Sequence, residues 1–187
     1  MNKNNRTALI VTLVVFLFIG LSFASVPLYR MFCAATGFGG TPMIDPNAKS
    51  DRILDDTVTV RFNADVMPGM PWSFHAENKP VTLKIGEKAL VSFRAKNNSS
   101  QAVTGTAIFN VLPESVGQYF HKTQCFCFGL QTLQPGAEVH MPVQFFVDPK
   151  IMDDKDARII KTITLSYTFF KADSPELEKA MDKFYKN

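Results

Sequence analysis

The sequence predicts an all-β sandwich of antiparallel strands, tethered by one N-terminal transmembrane helix and followed by a short C-terminal helix. Three observations carry this. Ala8 through Val26 is nineteen residues with no charge and no proline. Past residue 51, seven short runs rich in β-branched and aromatic residues are separated by turn residues, with no helical pattern between them. Near the end, Ser174-Pro175-Glu176 reads as a helix start, and Leu177, Met181 and Phe184 follow at helical spacing.

The stretch 8–26 approaches the roughly 20 apolar residues a helix needs to cross a bilayer. Thr12, Gly20, Ser22 and Ser25 suit such a helix, because small and hydroxyl residues satisfy themselves against its backbone. A cleaved signal peptide is the competing reading, with Lys3 and Arg6 as its basic region and Ala24-Ser25 at the cleavage point. The apolar stretch is longer than the about 7–15 residues of such a segment, which favours a retained signal-anchor. Lys3 and Arg6 precede the span, whereas Arg30 is the one nearby basic residue after it. That bias places residues 1–7 in the cytoplasm and the remainder outside. So short a leader does not suit a mitochondrial transit peptide, so a bacterial inner membrane is the expected location. Residues 27–51 read as a juxtamembrane linker that carries Cys33 and the Gly-rich run Thr36-Gly37-Phe38-Gly39-Gly40-Thr41-Pro42.

Residues 52–171 supply the strands. Thr57–Ala64 alternates Val58, Val60 and Phe62 against Thr59 and Arg61. The loop Met67-Pro68-Gly69-Met70-Pro71-Trp72 follows, read as a packed turn, and then come Val81–Ile85, Ala89–Ala95 and Gly105–Leu112. A strand near Gln124–Phe128, then Val139–Val147 and Ile159–Phe170, complete the set. Gly86, Asn97-Asn98, Pro113, Pro135-Gly136 and Asp148-Pro149 punctuate them. This spacing matches a sandwich of immunoglobulin-like size, although the Cys…Trp…Cys pattern of true immunoglobulin domains is absent. Asp153-Asp154 reads as a solvated loop, and residues 172–187 as the tail helix.

With 20 Lys and Arg against 17 Asp and Glu, the net charge is +3, and no basic cluster supports nucleic-acid binding. There is no nucleophile elbow, no phosphate loop and no H-E-x-x-H, so an enzyme is not expected. The 17 Phe and one Trp provide for a sizeable core.

Three cysteines cannot pair completely within one chain. Cys125 and Cys127, in Cys125-Phe126-Cys127-Phe128, are one residue apart in a run that reads as strand. Alternation puts both sulfurs on one face. Two strand steps separate their Cα atoms by about 6.6–6.8 Å, at the outer limit for an unstrained disulfide. Two soft thiolates beside aromatic bulk suit a soft ion such as Cu(I). Two small hydrophobes on an inward strand face, or a redox dithiol, are the alternatives. Cys33 is either an incidental or lipidated thiol, or a third thiolate that exchanges metal or electrons with the pair. His121, His140 and Met141 are candidate further ligands. Lys122, three positions before Cys125, either lowers the thiol pKa values or is simply solvated.

Beyond these residues, the chain resembles the CtaG-type assembly factors of cytochrome c oxidase, a copper-delivery family. The likeness lies in Val26-Pro27-Leu28-Tyr29-Arg30 with Phe32-Cys33 and Thr36-Gly37, then Gly105-Thr106-Ala107 with Asn110-Val111, then Gly117-Gln118-Tyr119-Phe120. It continues in Gln124-Cys125-Phe126-Cys127-Phe128, Met141-Pro142-Val143, Phe145-Phe146-Val147-Asp148-Pro149 and Ile163-Thr164-Leu165-Ser166-Tyr167-Thr168-Phe169. The resemblance implies an immunoglobulin-like periplasmic domain that binds Cu(I) through Cys125 and Cys127. It also implies passage of the ion from an upstream copper donor to the Cu(B) site of oxidase subunit I. Cys33 matches the juxtamembrane cysteine that assists transfer, and the loaded form is expected to be a thiolate-bridged homodimer. His140 departs from the family, which has an acidic residue there. A thiol–disulfide reductase that keeps oxidase copper ligands reduced, and a biogenesis scaffold, are the competing functions.

Overall fold

The computed structural model describes residues 3–36, 42–44, 47–125, 129–172, 174 and 177, with the backbone alone at 3, 8, 30, 33–36, 44, 124 and 125. Helix α1 runs from Lys3 to Thr36, and its segment Asn4–Tyr29 is long and apolar enough to cross a membrane. Ser22 and Ser25 donate their hydroxyls to Phe18 O at 2.9 Å and to Ser22 O at 2.7 Å, so both are satisfied within the helix. Where the sequence reads as linker from residue 27, the helix instead continues through Pro27 and past Cys33. Proline removes one donor from a helix interior, and here it does not end the element. At about 1.5 Å per residue, 34 residues reach about 51 Å. A hydrocarbon core is about 30 Å thick, so a helix spanning it carries its last turns beyond the lipid.

Two five-stranded sheets form the sandwich. The first has the order β1 (Met43–Ile44), β7 (Phe120–Cys125), β9 (Glu138–Val147), β5 (Ala89–Asn97), β3 (Trp72–Ala76). The second has the order β4 (Val81–Lys84), β2 (Thr57–Val66), β10 (Thr162–Lys171), β6 (Val103–Leu112), β8 (Gln131–Leu133). Alternation fixes the inner faces: Met141, Val143, Phe145 and Val147 of β9 face Ile163, Leu165, Tyr167 and Phe169 of β10 within one buried core. Aromatic side chains join the layers, Phe93 lying 5.0 Å from Tyr167 and 6.0 Å from Phe62 between ring centroids.

The sandwich the sequence predicts is present, with differences in detail. β3 is a strand in which Trp72 and Phe74 point inward and Ser73 and His75 outward. The short β1 and β8 add further edges. Most pairings are antiparallel, but β10 joins β2 in parallel from Thr162↔Thr59 to Phe169↔Val66, and β1 joins β7 in parallel. β7 begins at Phe120, four residues before the expected strand, and residues 126–128 lie outside the description. The expected tail helix also lies outside it, apart from Ala172, Ser174 and Leu177. There the Leu177 N–H donates to Ser174 Oγ at 3.2 Å, as in a helix N-cap.

Asp153 is exposed, as expected of a solvated loop, while the half-buried Asp154 is also tied to the fold. Asp154 accepts the Tyr119 hydroxyl at 2.9 Å and the backbone N–H groups of Asp156 and Ala157 at 2.9 and 3.2 Å. Burial first, and the Asp154 contact second, push the Tyr119 phenol up to about 12. Tyr119 immediately precedes β7, so this bond pins the strand's entry.

Asn97 ties two turns together at the far end of β5. Fully buried, it reaches the carbonyls of Gln101, Leu133 and Gln134 at 2.8, 2.9 and 3.3 Å, and its Oδ1 accepts from Ser99 N and Oγ. Asn97→Ala would remove three bonds to carbonyls, the one to Leu133 buried and the other two partly so, at a cost of about 1–3 kcal/mol. Urea unfolding of the full chain in detergent, followed by the fluorescence of its one tryptophan, Trp72, measures this; an unchanged midpoint would contradict the assignment.

Candidate functional site

β7 carries the candidate site and lies between β1 and β9. Phe120 and Lys122 point into the core at 0% and 1% exposure. Between Lys122 and Gln124 the ladder with β9 slips by one residue, a bulge at Thr123. Thr123 fills it, donating its hydroxyl to Gln144 Oε1 at 2.9 Å. The register then resumes as Gln124↔Gln144 and Cys125↔Val143. Had the ladder run on without the bulge, Cys125 would pair with Pro142 instead.

Cys125 is the last residue of β7, and the chain next enters β8 of the opposite sheet at Gln131. The Cys-x-Cys box therefore begins on the last residue of β7. Gly129 closes that connection with φ +88°, a conformation open to glycine and strained for other residues. The side chains of Cys33 and Cys125, and all of Cys127, lie outside the described residues, and so does the expectation that the sulfurs share one strand face. The topology does relate the elements that carry them. After α1 the chain returns as β1, whose Met43 and Ile44 pair with His121 and Lys122. The helix bearing Cys33 thus leads directly into the strand beside the one that ends at Cys125.

The other candidates divide. Met141 is a core residue at 3% exposure, which accounts for it without a ligand role. His140 lies on the outer face, its Nδ1 3.1 Å from Glu77 Oε2. Arg94 donates to the same carboxylate at 3.0 Å. A hydrogen bond from Ser92, then those from His140 and Arg94, hold the Glu77 carboxyl down to about 2. His121 stacks on Phe146 at 5.0 Å and approaches Asp148 Oδ2 at 3.4 Å. His121 and His140 therefore each have a carboxylate neighbour.

Lys122 is not solvated. Its Nζ sits 3.0 Å from the centroid of the Phe109 ring and 3.3 Å from Tyr167 Oη. Burial lowers its pKa to about 6 and pushes that of Tyr167 up. Neither this buried amine nor the Thr123 bulge is signalled by the sequence of β7, which is polar from His121 to Gln124. The inward position of Lys122 depends on Phe109 and Tyr167 from two distant strands.

Comparison with known proteins places these features in a family. The family model described as "Cytochrome c oxidase assembly protein CtaG/Cox11" matches residues 25–171. The chain is 48% identical over 182 residues to the cytochrome c oxidase assembly protein CtaG of Ruegeria pomeroyi, an alignment covering 97% of this chain and 95% of that one. It is 46% identical over 178 residues to the protein of the same name from Paracoccus denitrificans, covering 95% and 91%. Against that of Brucella suis it is 46% identical over 175 residues, covering 93% and 87%.

Proposed function

Because the chain belongs to the cytochrome c oxidase assembly protein family CtaG/Cox11, we propose that it is a membrane-anchored copper carrier for assembly of that oxidase. Cys125 and Cys127 bind Cu(I) as cargo and release it to the Cu(B) site of subunit I, with Cys33 assisting the exchange. An upstream donor loads the site, and the loaded form is a copper-bridged homodimer. The anchor lies in the inner membrane, with the N-terminus cytoplasmic and the sandwich periplasmic.

The observation that carries this reading is the Cys-x-Cys box itself, which starts on the last residue of a strand locked by a bulge and a paired edge. Two thiols one residue apart in sequence suit a soft, low-coordinate ion. Delivery then needs no catalytic group. Each Cu–S bond breaks as a bond to an imidazole nitrogen of the receiving site forms; copper stays Cu(I) and the thiols recover their protons. A helix long enough to cross the membrane confines carrier and acceptor to one plane, which raises their effective concentration.

The test compares the full chain in detergent, loaded anaerobically with Cu(I), with its Cys125→Ser/Cys127→Ser form. The parent is expected to hold copper through sulfur by X-ray absorption, and the variant to lose nearly all of it. Equal copper in both would overturn the reading in favour of thiol redox chemistry or scaffolding.

A further inference from the structure

A lysine inside a β-sandwich calls for an explanation, because a methionine of similar volume would fill the same space without desolvating an amine. Lys122 is 1% exposed, yet the space around Nζ suits an ammonium. The Phe109 face lies 3.0 Å away, the Tyr167 ring 5.2 Å away, and the Tyr167 oxygen accepts at 3.3 Å. Aromatic faces attract a cation most strongly where water is excluded. Burial pulls the other way, toward the neutral amine. The two forms are therefore close enough in energy near neutral pH for a nearby charge to choose between them.

The groups around Lys122 come from every neighbouring strand. β6 contributes Phe109 and β10 the Tyr167 phenol, while β9 pairs Phe145 and β1 pairs Ile44 with it in register. On its own strand His121, with Asp148 beside it, and Thr123 flank it. Along β7 the nearest proposed copper ligand is Cys125, on the order of 10 Å of strand away.

We propose that Lys122 is a positioning residue for the copper site: its amine takes up a proton as the Cys125 and Cys127 thiols give theirs up, so that the anionic bis-thiolate centre forms with a compensating cation inside the sandwich. This rests on the copper reading above. In the step two S–H bonds break and two Cu–S bonds form. One proton goes to the Nζ lone pair and the other to solvent, and copper remains Cu(I). Opposite unit charges about 10 Å apart, at an effective dielectric of about 20, shift one another by about one pH unit. The device offsets the loss of thiolate affinity as pH falls.

Two measurements on the full chain in detergent test it. In the first, 13C-lysine NMR follows the Lys122 side chain through pH 5–9 without copper and after anaerobic loading with Cu(I). The titration midpoint is expected to rise by about one pH unit on loading, and an unchanged midpoint overturns the proposal. In the second, Cu(I) affinity is measured by chelator competition for the parent and for Lys122→Met. The variant is expected to be about fivefold weaker at pH 6 and near parity at pH 8, the ratio that a one-unit shift from about 6 produces. A loss of equal size at both pH values would mark a merely structural role. If Cys125→Ser/Cys127→Ser binds copper like the parent, both the copper reading and this inference fail. If copper needs the thiols but Lys122 does not respond, this inference alone fails.

Discussion

Lys122→Met is expected to stabilise the copper-free domain by about 4–5 kcal/mol at pH 7 and to remove a pH dependence from its unfolding. The folded state holds this amine at about 6, against 10.5 for an ordinary lysine. Between those values the unfolded chain binds a proton that the folded chain does not. Stability therefore rises with pH across that window, by up to about 1.4 kcal/mol per pH unit. Below about 6 both states are protonated and above about 10.5 neither is, so the slope vanishes on either side. Methionine keeps the apolar stem against Phe109 and has nothing to titrate. Urea midpoints of the full chain in detergent at pH 6.5, 7.5 and 8.5, read from Trp72, give the result directly. Parallel slopes for parent and variant would show that the amine is not the source. Together with the weaker copper binding inferred above, the variant would be a more stable protein and a poorer carrier.

Gly86→Ala is expected to cost about 3–5 kcal/mol, among the larger single losses available in the fold. Gly86 has φ +93°, and a methyl group there would run into the backbone oxygen of Arg52 and the hydroxyl of Ser50. The glycine sits where three segments meet. Its N–H donates to Val147 O at 2.8 Å, and the adjacent Ile85 exchanges backbone bonds with Leu54 and Asp56 at 2.9 Å each. Moving the obstruction would lift residues 50–56 from the sandwich. Gly136→Ala is the control, because φ is also positive, at +70°, but nothing lies within 4 Å. It should lose only about 1–2 kcal/mol, the conformational part alone. Equal losses in the two variants would rule out crowding as the cause.

The elements most legible in the sequence are those whose burial follows a simple period. The uncharged stretch from Ala8 to Val26 marks the apolar part of α1, and strict alternation marks β2, β9 and β10. The end of α1 is not legible, because Pro27 and the glycines after Thr36 look like linker while the intervening residues stay helical. β1 and β8, with two and three residues, are too short to show any period. In β3 the alternation Trp72-Ser73-Phe74-His75 is present but hidden behind the Pro- and Gly-rich turn before it. The thiol box is the plainest chemical signal in the chain. The buried state of Lys122 is the opposite case, since its hydrogen-bond partner is 45 residues away and only the closed sandwich brings the two together.

The parallel pairing of β2 with β10 bears on when this protein can fold. β10 is the last strand among the described residues, yet it occupies the middle of its sheet, between β2 and β6. Until Lys171 is available, β2 and β6 have no common neighbour and the core lacks Ile163, Leu165, Tyr167 and Phe169. Closure of this sheet therefore waits for contacts of long sequence separation, which form slowly. For a chain made from its N-terminus, this order means that the second sheet locks only after residues 162–171 have been released.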